Sequence, residues 1–236
     1  GNWAGVTVDK KESKIKKSLY EGNEELIAVD LPGAYSMSPF TSEESVTSGY
    51  VKKENPDVII TCAYGQIIPN VLLETPKYKA INVHASLLPK LRGGSPLHRC
   101  LIDGYKETGV TIMYMAPGMD DGDIITQRSI EILDDYNVGD IHDKLSVLGS
   151  ELLYDTLPSI FDGTNERIKQ DENLVTFAYN IKKEEEKLDF SKSALEVHNH
   201  IRGLYPFPTS YTTLNGEIIK ICESRVGNVK SGKIGE

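Results

Sequence analysis

The chain of 236 residues has one tryptophan, three cysteines and no apolar run near the ~20 residues that a bilayer crossing requires. Cys62, Cys100 and Cys222 stand far apart, in no metal-ligand or redox pattern, and an odd count argues against a disulfide framework. No basic-plus-apolar leader is recognisable, so a soluble, cytoplasmic protein that is not exported and has no membrane partner is expected. The phosphate-cradling pattern G-x-x-x-x-G-K-[ST] and the guanine-reading N-K-x-D are both missing, so GTP is not an expected ligand. Positive charge is scarce as well. The net charge is −9, and only residues 187–236 are basic, with seven Lys and Arg against five Asp and Glu. Lys220, Arg225, Lys230 and Lys233 are candidates to meet phosphates, with a plain solvated face as the alternative.

What is present is an ordinary supply of core residues, 39% apolar against 26% charged. The stretch Val6–Ile15, a Gly22-Asn23 turn and Glu25–Asp30 predict a hairpin. Ser36–Glu54 reads as loop and then short helix, Asp57–Ala63 as a buried strand, and Ile68–Glu74 as a short helix. Strands follow at Ala80–His84, Thr108–Met115 and Asp123–Ile132, with a helix from Ser95-Pro96 to Ile102 between the first two. Asn137 caps a long helix whose Val138, Ile141, Leu145, Leu148, Leu152 and Leu153 follow the helical period, ending near Gly163. This alternation predicts a mainly parallel α/β sheet. Beyond it come the charged Lys182–Lys187 as exposed linker or helical turn, a capped helix Ser193–Ile201 closed by Gly203, and a hairpin turning at Asn215-Gly216.

Asn82 and His84 are two apart at the end of a strand, so they share a face where open α/β sheets place ligands. With Asp120 folded back onto them, the set holds a hydrogen-bond donor, a titratable base and a carboxylate to orient it, which suits acyl-type transfer to an amine. No metal is expected: counted as a calcium loop about Gly122, Asp121 and Asp123 leave Arg128 where a bidentate Glu belongs. Arg92 is a candidate to hold a carboxylate or phosphate, or a surface residue. His98, His142, His198 and His200 lack partners at ligand spacing and default to surface positions.

The segments NVHASLLPKLRGGSP, ETGVTIMYM and GMDDGDII, in this order, resemble the signature of folate-dependent formyltransferases, most closely those acting on methionyl-tRNA. YNIKKEEEKLDF resembles the segment joining the two domains of those enzymes. The resemblance implies formyl transfer from 10-formyltetrahydrofolate to the amine of initiator methionyl-tRNA. Asn82, His84 and Asp120 would be catalytic, and Ser86, Leu87, Leu88 and Pro89 would contact folate. It implies an α/β, incomplete Rossmann-like sheet followed by the start of a β-barrel (OB-like) C-terminal domain. GNWAGVTVDKKE and VDLPGAYSMSPFTSEE resemble instead the G domain of ferrous iron transport protein B, over about residues 1–58. The expected division is 1–55, this fragment; 56–180, the formyltransferase core; 181–192, a linker; and 193–236, a truncated tRNA-binding domain. Activity is expected to be impaired, and the alternatives are a non-catalytic fragment of an iron-transport GTPase or a small-molecule formyltransferase.

Overall fold

A computed structural model describes residues 11–14, 27–30, 49, 51, 53–64, 68 and 70–227. Strands β1 (Lys11–Lys14) and β2 (Ile27–Asp30) pair antiparallel, Lys11 opposite Asp30, so the described part of the first hairpin agrees with its sequence pattern. The Gly22-Asn23 turn and most of 36–54 lie outside the described residues. Gly49, Val51, Lys53 and Glu54 are helical, and Val51 is buried with Ile59, Ile68 and Leu72.

Among the described residues the main sheet has four strands in the order β3 (Ile59–Cys62), β4 (Ala80–His84), β5 (Glu107–Tyr114) and β6 (Ile124–Glu131). Strand β3 was expected to be buried on both faces. Ile59 and Thr61 are buried while Ile60 and Cys62 are exposed, so only one face of β3 is covered. After it, the short helix α1 begins beyond Pro69, at Asn70–Glu74. The sheet is not mainly parallel: β3 and β4 run parallel, but β4–β5 and β5–β6 are antiparallel. A parallel return must carry the chain back along the sheet, usually over a dozen or more residues. Between β4 and β5 lie residues 85–106 with the short helix α2, Pro96–Ile102, so length there permits either direction. Between β5 and β6 the chain has nine residues, 115–123, and no helix.

Strand β5 is central, and its alternation assigns two jobs. Val110, Ile112 and Tyr114 join a core with Ile141, Leu145 and Leu152 of helix α3 (Val138–Asp162). Met113 packs on the other face with Leu88 and Ile124. Helix α3 has the predicted ends. The Asn137 side chain accepts from the Gly139 and Asp140 amides, Asp140 accepts from the Asn137 amide, and Gly163 closes the helix in the left-handed region.

Helix α4 runs from Ala194 to Leu204, with Ser193 and Glu196 forming its capping box. Gly203, expected to end it, lies inside it. A Cβ there would sit 2.6 Å from Ile102 Cγ1, so this glycine permits α4 to pack closely on α2. The charged Lys182–Lys187 contains a 3-10 turn, Lys183–Glu186, and Arg99 holds Glu185 at 2.8 Å. Strands β7 (Tyr211–Leu214) and β8 (Glu217–Lys220) form the last hairpin, antiparallel as predicted. Among the described residues no helix is long and apolar enough to cross a membrane.

Candidate active site

The register of β4 on β5 sets the position of the first two groups. Asn82 lies opposite Met113 and His84 opposite Thr111, on the sheet face turned away from α3. Both are buried. Thr61, opposite Asn82 in the parallel register, donates to Asn82 Oδ1 at 2.9 Å. No hydrogen bond from Asn82 Nδ2 reaches any described residue, and this nitrogen is not among the enclosed orphan polar atoms. It is a hydrogen-bond donor open to a ligand.

Asp120 does fold back. Its Oδ2 is 3.7 Å from His84 Nδ1 and accepts from the Gly93 amide at 2.8 Å. His84 Nε2 is 3.0 Å from the Leu91 carbonyl, which can only accept, so Nε2 carries the ring proton. The lone pair of Nδ1 then faces the Asp120 carboxylate. Nδ1 and the carboxylate thus face each other as two acceptors, 3.7 Å apart and beyond hydrogen-bond reach.

Asp120 sits in the left-handed region, φ 49°, which costs a non-glycine residue energy unless its surroundings hold it. They do so through a strap, residues 168–178, that no sequence pattern marked. Ile168 pairs with Ile124 through two backbone hydrogen bonds, 2.8 and 2.9 Å. Gln170 Nε2 donates to the carbonyls of Asp120 and Gly122, at 2.7 and 2.8 Å. Thr176 and Ala178 then pair along Leu91–Ser95. Arg92 is neither a surface residue nor free for a ligand. It is 4% exposed, donates to Gln170 Oε1 at 3.0 Å and forms an ion pair with Glu172 at 2.9 Å. Amides, carbonyls and charges here satisfy one another, as burial requires. Asp123 pairs with Arg167 at 3.3 Å, and Asp121 lies under Gly118, so the three carboxylates of this turn point to different partners.

The expected folate loop divides. The Ser86 hydroxyl donates to the Lys90 carbonyl at 2.6 Å, and Ser86 is fully buried. Leu88 belongs to the Met113–Ile124 cluster, its amide donates to Thr111 Oγ1, and its carbonyl accepts from Gln127. These two residues shape the loop from inside. Leu87 and Pro89 are the partly exposed members, and the Leu88-Pro89 bond is cis. The Leu88 amide is thereby satisfied inside the protein, while its carbonyl keeps one lone pair.

The remaining histidines are mostly not surface residues. His98, His198 and His200 are half-buried and bond to the Phe207 carbonyl, Ser224 and the Glu185 carbonyl; His142 is exposed. Burial pushes the Cys100 thiol up to about 12, so it is no nucleophile at neutral pH. An open depression of about 780 Å³, lined by Arg99, Tyr179, Asn180, Ile181, Lys182 and Glu185, contains none of the residues named as catalytic. The chemistry favours Asn82, His84 and Asp120 over this volume, because they converge a donor, a base and a carboxylate.

An α/β sheet presenting a donor, an imidazole and a carboxylate at a strand end, under a clamped turn, suits acyl-type transfer. Residues 4–157 match the family model Formyl transferase, and 180–236 match Formyl transferase, C-terminal domain; the chain belongs to the formyl transferase family. It is 55% identical over 179 residues to a methionyl-tRNA formyltransferase of Staphylococcus epidermidis, covering 76% of this chain and 58% of that protein. It is 55% identical over 166 residues to one of Bacillus cereus, covering 70% and 53%. The chain thus spans little more than half the length of these relatives. Among solved structures, an N-formyltransferase of Helicobacter canadensis in complex with folinic acid and dTDP-3-aminofucose is similar, with TM-score 0.59 and 27% identity. That match covers 68% of this chain and 60% of the other. HypX of Aquifex aeolicus in complex with tetrahydrofolic acid shares the fold, with TM-score 0.67 and 18% identity, over 81% of this chain and 33% of the other. The formyl transferase match begins at residue 4, so it includes the stretch that resembles an iron-transport G domain, and nothing in these comparisons supports that second resemblance.

Proposed function

We propose that this chain transfers a formyl group from 10-formyltetrahydrofolate to the α-amine of initiator methionyl-tRNA, in the cytoplasm at the start of translation. The observation that carries the reading is the 55% identity to a methionyl-tRNA formyltransferase over 76% of the chain. The donor set agrees with it. The formyl-folate supplies an activated formyl carbon when bound. Asn82 Nδ2 is free to donate to the negative charge that grows on the formyl oxygen as the amine attacks. His84 Nδ1 takes up the proton the amine must lose, Asp120 holds the resulting imidazolium, and that proton goes to the folate nitrogen as its bond to the formyl carbon breaks. Leu87 and Pro89 offer the partly exposed wall of the folate loop, while Ser86 and Leu88 hold its shape. The basic residues after 186 would meet tRNA phosphates.

The proposed division keeps 56–180 as the catalytic unit, 181–192 as linker and 193–236 as the tRNA-contacting unit. The resemblance of residues 1–58 to an iron-transport G domain stands on its quoted residues alone. With no phosphate loop in the sequence, a GTP titration of the chain should show no binding.

The test is formylation of methionyl-tRNA by the purified chain with 10-formyltetrahydrofolate. Asn82→Ala should lower kcat by ~10²–10³, the usual loss for one such donor, with an unchanged melting temperature. Transfer by the parent to an amino sugar nucleotide in place of methionyl-tRNA would move the chain to the small-molecule class. Transfer to neither would end the proposal.

A further inference from the structure

We propose that Thr61 is a positioning residue that turns the Asn82 amide so that its NH2, and not its oxygen, faces the reacting atoms; this rests on the formyl-transfer reading. Thr61 is the one hydroxyl in strand β3, and its burial is otherwise an unnecessary cost in an apolar strand. Register places it directly opposite Asn82. Its hydroxyl has a single proton and three acceptors in reach. Asn82 Oδ1 is nearest at 2.9 Å, while the Ile81 carbonyl and Met115 Sδ are both at 3.3 Å.

The two ends of an asparagine amide are nearly the same shape, so sterics alone do not choose between them. Reversed, Asn82 would present an oxygen to the formyl oxygen, and stabilisation of the growing charge would become repulsion. Reversal would exchange the 2.9 Å bond that Thr61 donates for one that its oxygen accepts from the Asn82 NH2, and would send the Thr61 proton to one of its two 3.3 Å contacts. The hydroxyl therefore biases the amide toward its donating orientation without touching substrate.

Three variants test this in the full chain. Thr61→Val keeps the shape and removes the donor, and Thr61→Ser restores it. Thr61→Ala replaces the valine variant if that variant does not melt cooperatively. Removing one neutral hydrogen bond predicts a kcat for formyl transfer about tenfold lower in Thr61→Val, KM for both substrates within about twofold, and near-parental kcat in Thr61→Ser. The second readout needs no activity. In protein labelled with 15N-asparagine, the Asn82 side-chain NH2 pair is identified by its loss in Asn82→Ala. It should shift and broaden in Thr61→Val and stay in place in Thr61→Ser. An unmoved pair in Thr61→Val overturns the proposal, and so does a parental kcat. If the parent transfers no formyl group, the functional reading fails, while the NH2 pair still decides what orients the amide.

Discussion

Strand β5 and the hairpin β7–β8 are both antiparallel backbone held by regular hydrogen bonds, but seven of the eight residues of β5 are buried and all four of β8 are exposed. The hairpin exists because Asn215 and Gly216, at φ 51° and 85°, supply the two left-handed residues of a tight turn. Strand β5 exists because α3 covers one face and the loop of residues 86–91 the other. Turn chemistry suffices to pair two strands; burial decides how much their loss would cost. The candidate site stands on the covered kind of strand, where Asn82 and His84 are buried and Thr61 and Leu91 hold them.

The sharpest way to test the contrast is to remove one side chain from each region. Ile112 is fully buried between β5 and α3, and Ile112→Ala should cost about 2–5 kcal/mol in denaturant unfolding. A cost below about 1 kcal/mol would erase the contrast. Gly216→Ala places a side chain where the backbone needs positive φ, which should weaken the hairpin by about 1 kcal/mol. Amide exchange in β7 and β8 would then quicken about fivefold while β5 stays protected.

The junction of the two regions carries a pH dependence. His98 bonds to the Phe207 carbonyl and His200 to the Glu185 carbonyl, and burial pushes both imidazoles below the usual 6.5. Below that value the unfolded chain binds these protons before the folded one does. Stability is therefore full above 6.5 and falls as pH drops through the window beneath it. The melting temperature should be lower at about pH 5.5 than at about 7.5, and His98→Gln with His200→Gln should flatten the profile. The smallest effect belongs to the exposed hairpin. Ile218 is 67% exposed, and Ile218→Ala should change global stability by no more than about 0.5 kcal/mol.

Strand β4 is legible to the residue, as are both ends of α3, because their signals are local: a short apolar run, an asparagine cap, a glycine stop. Gly203 misleads because a glycine near a helix end has two physical meanings, a stop or a close approach, and only the position of Ile102 distinguishes them. The expectation of a parallel sheet fails because alternation of strands and helices does not by itself fix strand direction. Thr61 is visible in the sequence as the lone hydroxyl of its strand, but its importance depends on a register that pairs it with Asn82.

By itself the sequence determined the local elements and the pairing of Asn82 with His84 on one face, because a strand's side-chain period is fixed at two residues. It also placed Asp120 in the same site through a resemblance carried by several motifs in order. Only the tertiary structure decided the rest. Strap and turn bring Arg92, Gly93, Asp120, Gln170 and Glu172 together through hydrogen bonds that span 27 to 80 positions of chain, and no periodicity records those contacts. Arg92, buried at 4% exposure, has no water to bind instead, so the strap must supply its partners.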